Sequence, residues 1–386
     1  MCPRPYRAVK RAGRLIHGRI NMDDSCRASD TLIRTLYHSD NKIGESKINK
    51  IPATLIEGDG IGPEITEATV DVLDALQAPF EWSRFKAGLA ALEESGDVLP
   101  KPMLDNIRQT KLALKAPLTT PVGEGFRSAT VRLREEFNLY ANVRPAHTFI
   151  PGGRFEDIDL ILIRENTEGL YVGVEHYIPV DGDPRAVASA SGIMTRAGCR
   201  KIAEFSFDYA IRHGRKKITI VHKANILKKL TGLFLDTALE VGKPYEDRLE
   251  IEERIVDNTA MQLVINPSQF DVILTSNMFG DILSDEIAGL IGGLGLAPGG
   301  NIGPDASIFE AVHGSAPDIA GQGIANPTAL LLAAAMMLEH VNEYDKANQL
   351  RGAIKAVLNE DNVRTGDLGG NATTVEYTKA IIQRLG

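Results

Sequence analysis

The sequence has little cysteine, no long apolar run and no excess of positive charge. Its three cysteines, Cys2, Cys26 and Cys199, are too scattered for a disulfide framework or a zinc site, which favours a reducing compartment. No apolar run reaches the length of a membrane span, so we expect no membrane partner. The net charge of −8 argues against nucleic acid as a partner. No G-x-G-x-x-G motif follows a strand, so a Rossmann dinucleotide site is not supported.

The first 48 residues differ from the rest of the chain. The first twenty hold six Arg or Lys and no acid, as a mitochondrial transit peptide does. The alternatives are a disordered tail, or a start codon placed too early with Met22 as the true start. We favour a disordered extension, since Asp23 and Asp24 soon interrupt the transit pattern. We therefore expect a cytoplasmic protein, with the mitochondrial matrix as the alternative.

From Lys50 onward, short apolar runs alternate with longer helical patterns, which predicts an α/β fold. The predicted strands are PATLIEG, KLALKAP, DLILIRE, KITIVHK and FDVILTS. The predicted helices include GPEITEATVDVLDALQ, TRAGCRKIAEFSFDYAIRHG, ILKKLTGLFLDTALEVG and NPTALLLAAAMMLEHV. The stretch from Tyr171 to Thr195 fits neither period, and we interpret it as an arm outside the core, used in oligomer contacts.

Polar residues cluster where three of these strands end. Arg164 ends one apolar run, Lys223 lies just beyond a second, and Asn277 lies just beyond a third. Ligands of α/β sheets bind beyond the carboxyl ends of the strands. Together the three strand ends predict one shared cleft.

Two carboxylates lie just past the last of these strand ends. Asp281 and Asp285 are four residues apart at the start of a predicted helix, so they share one face, and Asp257 follows the run IEERIV. Hard oxygen ligands of this kind suit Mg²⁺ or Mn²⁺. The alternative is that these acids only oppose the helix dipole. The neighbouring polar strand ends favour the metal interpretation.

Arginines are dense in the stretch GEGFRSATVRLREEFNLYANVRP, although the protein is acidic overall. Each guanidinium can bind a carboxylate through two hydrogen bonds. Arg134, Arg144 and Arg164, beside a divalent metal, would suit a small substrate with several carboxylates. For Arg127 and Arg132 we adopt the alternative, a solvated helix face.

Tyr171 and Lys223 are candidate proton carriers. Each alone is more typical of a structural role, since a tyrosine usually packs and a lysine usually faces water. Near a metal and other cations, a buried lysine has a lowered pKa and can act in acid–base catalysis.

The glycine-rich candidates for a nucleotide site are GDGIGPE and HGSAPDIAGQGIANP, and for each the alternative is a plain turn before a helix. In the second, the Asp318 carboxylate can accept from both hydroxyls of an adenosine ribose, and it would repel a 2′-phosphate. The sequence therefore favours the unphosphorylated dinucleotide.

Taken together, the motifs resemble one family. LIEGDGIGPEI, PLTTPVGEGFRS, LYANVRP, RENTEGLYVG, VHKANI, NMFGDILSDEIAGLIGGLG, FEAVHGSAPDIAG and DLGGNATT are similar, in the same order, to motifs of the metal-dependent β-decarboxylating dehydrogenases. That family includes isocitrate, 3-isopropylmalate, homoisocitrate and tartrate dehydrogenases. The resemblance runs from about residue 50 to the C-terminus, and within the family it is greatest to the NAD-dependent isocitrate enzymes.

The resemblance implies a role for each candidate residue. Ser128 stands where isocitrate enzymes hold the γ-carboxylate, whereas isopropylmalate enzymes are expected to have apolar residues there. Thr130 departs from the Asn that many isocitrate enzymes carry. The implied catalytic pair is Tyr171 and Lys223, and the implied metal ligands are Asp257, Asp281 and Asp285. The implied substrate residues are Ser128, Thr130, Arg134, Arg144 and Arg164, and the implied NAD residues are Thr119, Thr120, His313, Gly314, Asp318, Ile319 and Asn326.

The resemblance also implies an architecture and a reaction. The fold would be α/β but not Rossmann, with a large domain of residues 49–139 and 292–386, a small domain of 140–168 and 196–291, and a clasp of 169–195. Lys223 and Asp257 would reach the site of a neighbouring protomer, in a homodimer or higher homo-oligomer.

The implied reaction is the oxidative decarboxylation of isocitrate to 2-oxoglutarate and CO2 with NAD⁺, using Mg²⁺ or Mn²⁺, in the tricarboxylic acid cycle. The alternative substrates are homoisocitrate and 3-isopropylmalate. A further alternative is a non-catalytic regulatory subunit, which should have lost catalytic or metal residues.

Overall fold

The computed structural model describes residues 50–119, 128–151 and 155–386. The predicted disordered extension, Thr120 and Arg127 lie outside these ranges. Within them, no helix has both the length and the apolarity to cross a bilayer. The fold is α/β, as the alternation of patterns predicts.

The strands of the described residues are β1 (Ile51–Ile56), β2 (Phe80–Phe85), β3 (Leu112–Lys115), β4 (Ala141–His147), β5 (Asp159–Glu165), β6 (Gly169–Val180), β7 (Asp183–Ile193), β8 (Lys217–His222), β9 (Glu250–Ile255), β10 (Val272–Thr275), β11 (Pro298–Ile302) and β12 (Ser307–Ala311). Ten of them form one sheet in the order β2-β1-β3-β12-β11-β4-β5-β10-β8-β9. β11 is antiparallel to β12 and β4, and β4 is antiparallel to β5, while the other neighbours are parallel.

The strands β5, β10 and β8 are adjacent and parallel at the centre of one half of the sheet. Their residues are almost all buried, because helices cover both faces, and this explains their continuous apolar runs. The carboxyl ends of the three strands lie side by side, as the strand-end pattern predicts.

The helices of the described residues are α1 (Gly62–Ala75), α2 (Leu89–Ser95), α3 (Lys101–Thr110), α4 (Ala129–Glu136), α5 (Arg196–Arg212), α6 (Leu230–Gly242), α7 (Val256–Ile265), α8 (Asn277–Leu290), α9 (Thr328–His340), α10 (Tyr344–Asn359) and α11 (Thr374–Leu385). Helix α9 is apolar around its whole circumference and is buried from Thr328 to Leu338, as expected for a helix enclosed in the core. Helix α1 begins with Pro in its first turn, a position that proline favours.

The stretch interpreted as an arm forms the hairpin β6–β7, a separate two-stranded antiparallel sheet. Most of its residues are exposed, including Tyr177 and Val187. Its first strand also carries Tyr171, so the hairpin contributes a side chain to the site described next.

Candidate active site

Arg164 is the buried anchor of the site. It lies near the end of β5 and is 1% exposed. Its Nε donates to the backbone oxygen of Asn277 at 2.8 Å, its Nη2 to Asn277 Oδ1 at 2.7 Å, and its Nη1 to Asp281 Oδ1 at 2.6 Å. Helix α8 can approach this closely because residue 280 is glycine, and a Cβ at Gly280 would lie 2.6 Å from Arg164 Cγ. The first turn of α8 is therefore fixed against the guanidinium.

Arg144 extends from β4 to the same face of α8. Its Nε donates to Asn142 Oδ1 at 2.7 Å, and its Nη1 donates to the hydroxyl of Ser284. Its guanidinium lies 3.7 Å from Asp281 Oδ1 and 3.6 Å from Asp285 Oδ1. The spacing of Asp281 and Asp285 does place both carboxylates on one helix face, where they oppose two arginines.

Positive charge is in excess at this face. Burial, followed by the charges of Arg134 and Arg144, lowers the pKa of Arg164 to about 9. Burial also lowers the pKa of Arg144. Arg134, in the last turn of α4, has a buried Nε with no hydrogen-bond partner in the described structure. A ligand with several carboxylates would satisfy this donor and relieve the repulsion between the guanidinium groups.

The two acids of α8 differ in their surroundings. Burial raises the pKa of Asp285, Arg144 opposes this effect, and the charge of Asp281 adds to it. A divalent cation would offset the repulsion between two neighbouring carboxylates, and their hard oxygen atoms suit Mg²⁺ or Mn²⁺. This donor set fits a divalent metal, although it supplies only two carboxylate ligands.

Tyr171 reaches the same carboxylate from β6. Its hydroxyl donates to Asp281 Oδ2 at 3.0 Å, and the Arg164 guanidinium carbon lies 5.7 Å from its ring centroid. Burial, followed by the nearby Asp281, raises the pKa of Tyr171 above its usual value. The phenol therefore keeps its proton at neutral pH, as a proton donor must.

Lys223 and Asp257 form a separate pair. Lys223 lies just beyond β8, and its Nζ contacts Asp257 in the first turn of α7. This contact lowers the pKa of Asp257. In the described ranges, no three His, Cys, Asp or Glu side chains are close enough to hold a metal ion, so Asp257 does not join Asp281 and Asp285 within one chain.

Ser128 and Thr130 lie at the start of α4, the helix that also carries Arg134. The Ser128 hydroxyl caps this helix by accepting from the backbone N–H of Val131 at 3.4 Å. Thr130 is half-buried on the first turn. Helix α4 therefore carries both Ser128, the predicted contact of the γ-carboxylate, and Arg134.

Most of the predicted dinucleotide residues line a cavity of about 570 Å³. His313 Nδ1 donates to the backbone oxygen of Gly314 at 2.9 Å, because a carbonyl can only accept. Burial lowers the pKa of His313, so the ring is neutral and its buried Nε2 is an acceptor without a partner in the described structure. The cavity is lined by Ile61, Gly295, His313, Gly314, Ala316, Ile319, Ile324, Asn326, Gly366 and Asp367.

Of the predicted dinucleotide residues in this region, Asp318 does not line the cavity, and Asn326 lines it with its amide already engaged. Asp318 is exposed on the short 3-10 turn Pro317–Ile319, between two residues that line the cavity, and is not itself part of the lining. The amide of Asn326 is already engaged, since it donates to Asp367 Oδ2 at 2.9 Å and accepts from the Thr328 hydroxyl at 2.6 Å. Sequence reasoning missed Asp367, although it stands in the quoted motif DLGGNATT.

Thr119, in the loop after β3, is held by a residue that sequence reasoning also missed. The buried carboxylate of Asp59 accepts from the backbone N–H of Thr119 at 2.7 Å and from two N–H groups at the start of α2. The Thr119 hydroxyl lies 2.5 Å from that of Ser315, in the loop after β12. The motif GDGIGPE, which contains Asp59, was the available signal.

Comparisons with known proteins show which family this chain resembles. The family model described as isocitrate/isopropylmalate dehydrogenase matches residues 52–383. The chain is 47% identical to the mitochondrial isocitrate dehydrogenase [NAD] catalytic subunit 5 of Arabidopsis thaliana, over 88% of this chain and 90% of that protein. It is 46% identical to a mitochondrial protein of Dictyostelium discoideum that is named as an isocitrate dehydrogenase [NAD] regulatory subunit, over 88% and 93%.

The chain is also similar to a dehydrogenase named for another substrate and to a solved structure. The chain is 45% identical to the chloroplastic 3-isopropylmalate dehydrogenase of Solanum tuberosum, over 85% of this chain and 91% of that protein. The crystal structure of isocitrate dehydrogenase from Methylococcus capsulatus is 51% identical and superposes with a TM-score of 0.83, covering 86% of this chain and 99% of that one. The similar proteins therefore include dehydrogenases that are named for two different substrates, isocitrate and 3-isopropylmalate.

Proposed function

This chain belongs to the isocitrate/isopropylmalate dehydrogenase family, and we propose that it oxidises and decarboxylates isocitrate to 2-oxoglutarate and CO2 with NAD⁺. The observation that carries the proposal is a cluster of three guanidinium groups. Arg144 and Arg164 contact the acids Asp281 and Asp285, and the buried Nε of the neighbouring Arg134 lacks a partner in the described structure. A substrate with three carboxylates matches this excess of positive charge.

The chain's own residues then have defined roles. Arg134, Arg144 and Arg164 bind carboxylates of the substrate, and the Ser128 hydroxyl donates to the γ-carboxylate while it caps α4. Asp281 and Asp285 hold Mg²⁺ or Mn²⁺, and Asp257 of a neighbouring copy completes the ligand set. When bound, the metal supplies Lewis acidity that polarises the C2 oxygen.

Two residues move protons. The Nζ of Lys223 from the neighbouring copy takes the C2 hydroxyl proton, and Tyr171 Oη protonates C3 of the enol left by decarboxylation. The raised pKa of Tyr171 keeps this proton available. In the structure, the Tyr171 hydroxyl donates to Asp281. When Asp281 binds a cation instead, the phenol is free to donate its proton to another group.

The architecture belongs to the same proposal. The substrate lies between a large domain of residues 49–139 and 292–386 and a small domain of 140–168 and 196–291, with the 169–195 hairpin as a clasp. At least two copies assemble to share their sites. The curated relatives from Arabidopsis and Dictyostelium named above are mitochondrial, which supports the matrix alternative, and the comparisons give no support to the cytoplasmic expectation.

The test of function is the initial rate of NADH formation by the purified chain alone. Isocitrate, homoisocitrate and 3-isopropylmalate are each tested with NAD⁺ and NADP⁺, in Mg²⁺, in Mn²⁺ and after chelation. We expect metal-dependent turnover of isocitrate with NAD⁺ far above NADP⁺. Turnover of another acid would refute the Ser128 interpretation. No turnover by folded protein would favour a regulatory role, as in the name that the Dictyostelium relative carries.

A matched variant tests the choice of nucleotide. Replacing Asp318→Lys together with Ile319→Tyr removes the carboxylate that would repel a 2′-phosphate and adds a cation. We expect the preference for NAD⁺ over NADP⁺ to fall by about tenfold or more. Asp305→Lys, away from the cavity, serves as the charge-matched control.

A further inference from the structure

Asn301 lies at the centre of a buried hydrogen-bond network beneath the site. It is on β11 and is 2% exposed. Its Oδ1 accepts from Asn142 Nδ2 at 2.9 Å and from Asn166 Nδ2 at 3.0 Å. Its Nδ2 donates to Glu310 Oε1 at 2.6 Å. One amide thus links β4, the end of β5 and β12.

The network continues from Asn301 in two directions. Asn142, which is directly opposite Asn301 in the sheet, accepts from Arg144 Nε through its Oδ1 at 2.7 Å. On the other side, Glu310 Oε2 lies 2.6 Å from Lys115 Nζ, and both side chains are almost fully buried. A continuous chain of contacts therefore joins Lys115 on β3 to the guanidinium on β4.

This series of contacts from Lys115 to Arg144 allows only one arrangement of hydrogen-bond donors and acceptors. The carboxylate of Glu310 can only accept, so the Nδ2 of Asn301 must face it and the Oδ1 must face Asn142. The Nδ2 of Asn142 must then donate to Asn301, which leaves its Oδ1 for Arg144. Flipping either amide would bring donor to donor or acceptor to acceptor in a buried interior, where an unmet polar group is destabilising.

We infer that Asn301 is a positioning residue: through Asn142, it fixes the Arg144 guanidinium in the orientation that receives the substrate carboxylate. The inference rests on the proposed function for its kinetic consequence. Asn301 does not line the cleft, and its effect passes through Arg144. The Lys115–Glu310 pair determines which group donates and which accepts at every step from Glu310 to Arg144.

The first variant is Asn301→Ala, which leaves Asn142 free to rotate. We expect the KM for isocitrate to rise about tenfold or more, because Asn142 no longer fixes the Nε side of Arg144 and only the Nη1 bond to Ser284 holds the guanidinium, while the KM for NAD⁺ stays within about twofold. Asn359→Ala is the matched control, since Asn359 donates to the backbone oxygen of Phe149 outside the network. The control should keep the isocitrate KM of the unchanged protein. Equal KM values in the two variants would overturn the inference.

A second variant, Asn301→Asp, tests the donor and acceptor arrangement. A protonated aspartic acid has the shape of asparagine and can donate to Glu310 while it accepts from Asn142. Ionised, it would repel Glu310, and the other nearby charges are those of Lys115, Arg144 and Arg134. The rise in isocitrate KM relative to the unchanged protein should therefore shrink as the pH falls from about 8 to about 6. If the ratio of the isocitrate KM of Asn301→Asp to that of the unchanged protein stayed constant across this pH range, the proposed arrangement of donors and acceptors would be wrong.

A readout independent of activity separates this inference from the proposed function. The ¹⁵N-labelled Nε–H signal of Arg144, identified by its loss in Arg144→Lys, should exchange slowly in the unchanged protein and in Asn359→Ala. In Asn301→Ala it should exchange rapidly. If the unchanged protein does not oxidise isocitrate, the proposed function fails, and slow or fast exchange of this signal still decides the role of Asn301. If Asn301→Ala does not fold, Asn301→Ser takes its place, with an intermediate loss of protection expected.

Discussion

Arg164 and Asp281 are joined by a hydrogen bond of 2.6 Å, although they face very different surroundings. The arginine side chain is 1% exposed and the aspartate side chain 40% exposed. The guanidinium is fixed by Asn277, whereas the carboxylate is partly exposed to solvent and also accepts from Tyr171. Asp281 is therefore the member of the pair that can exchange partners, as the proposed metal role requires.

Replacing Asp281→Asn tests this role. The amide oxygen still accepts from Arg164, but the charge that would attract a divalent cation is lost. We expect turnover to fall by about 10²–10³-fold and to need more Mg²⁺. The free energy of unfolding should change by only about 1 kcal/mol, because the carboxylate is partly solvated. Steady-state rates across a Mg²⁺ titration and denaturation in urea measure the two effects.

The matched control for this variant is Glu286→Gln, on the same helix. The pKa of Glu286 is raised by burial alone, with no contribution from Arg144 or Arg164, so its loss should leave the Mg²⁺ dependence unaltered. Full activity of Asp281→Asn in metal-limited buffer would show that the assigned metal role is wrong.

Ser128 allows the cap of α4 to be separated from substrate binding. Ser128→Ala removes the acceptor for the Val131 N–H and should lower the free energy of unfolding by about 0.5–1 kcal/mol. Ser128→Asp keeps a good cap but adds a negative charge beside the expected γ-carboxylate. We expect stability near that of the unchanged protein, with an isocitrate KM at least about tenfold higher.

Thermal unfolding and isocitrate KM, measured on both Ser128 variants, decide between two roles. If Ser128→Asp bound isocitrate normally, Ser128 would be a helix cap and nothing more. The isopropylmalate alternative would then regain weight, because the argument against it depends on this residue.

The sequence predicts β1, β3, β5, β8 and β10, but it misses both edge strands, β2 and β9, and the three central strands β4, β11 and β12. β5, β8 and β10 are buried on both faces, so their apolar runs are continuous. β2 (FEWSRF) and β9 (EIEERI) are the two edges of the sheet, and their exposed faces carry charges that mask a strand pattern. β11 (PGGNI) has the composition of a turn, yet it is buried, since Gly300 lets Phe309 and Met336 approach closely.

The same distinction holds for the site. Arg164 and Asp281 were predicted because each follows an apolar strand in the sequence. The contact of Asn301 with Asn142 spans 159 positions of the chain, and that of Asp59 with Thr119 spans 60. No local pattern encodes such a contact, so these residues become visible only in three dimensions.

A mixed oligomer tests whether Lys223 acts in the site of its own chain or of a neighbour. Chains with Lys223→Met and chains with Asp281→Asn are co-expressed with different tags, and the mixed dimers are purified through both tags. Each parent should be nearly inactive. If Lys223 acts across the interface, one of the two sites in a mixed dimer is intact, so we expect about half of the full rate. A mixed dimer as inactive as its parents would place Lys223 in the site of its own chain.

The buried Lys115–Glu310 pair predicts a pH-dependent contribution to stability. Burial alone would raise the pKa of Glu310, but Lys115, followed by Arg134, holds it at about 2, well below its usual value. A carboxyl with a lowered pKa in the folded state contributes stability above its unfolded pKa, and this contribution is lost as the pH falls toward the folded pKa. The window is therefore from about pH 4.5 down to about pH 2.

Replacing Glu310→Gln should lower the free energy of unfolding by about 3 kcal/mol at neutral pH, because it leaves the Lys115 ammonium buried without a counter-charge. The difference from the unchanged protein should shrink as the pH falls below about 4.5, where the unchanged protein itself loses the contribution. Chemical denaturation at about pH 7, 5 and 3.5 measures this trend. Glu94→Gln breaks the exposed pair with Lys86 and should have little effect at any pH. A Glu310→Gln difference that stayed constant across this range would show that the buried carboxylate does not depend on its charge to hold the network together.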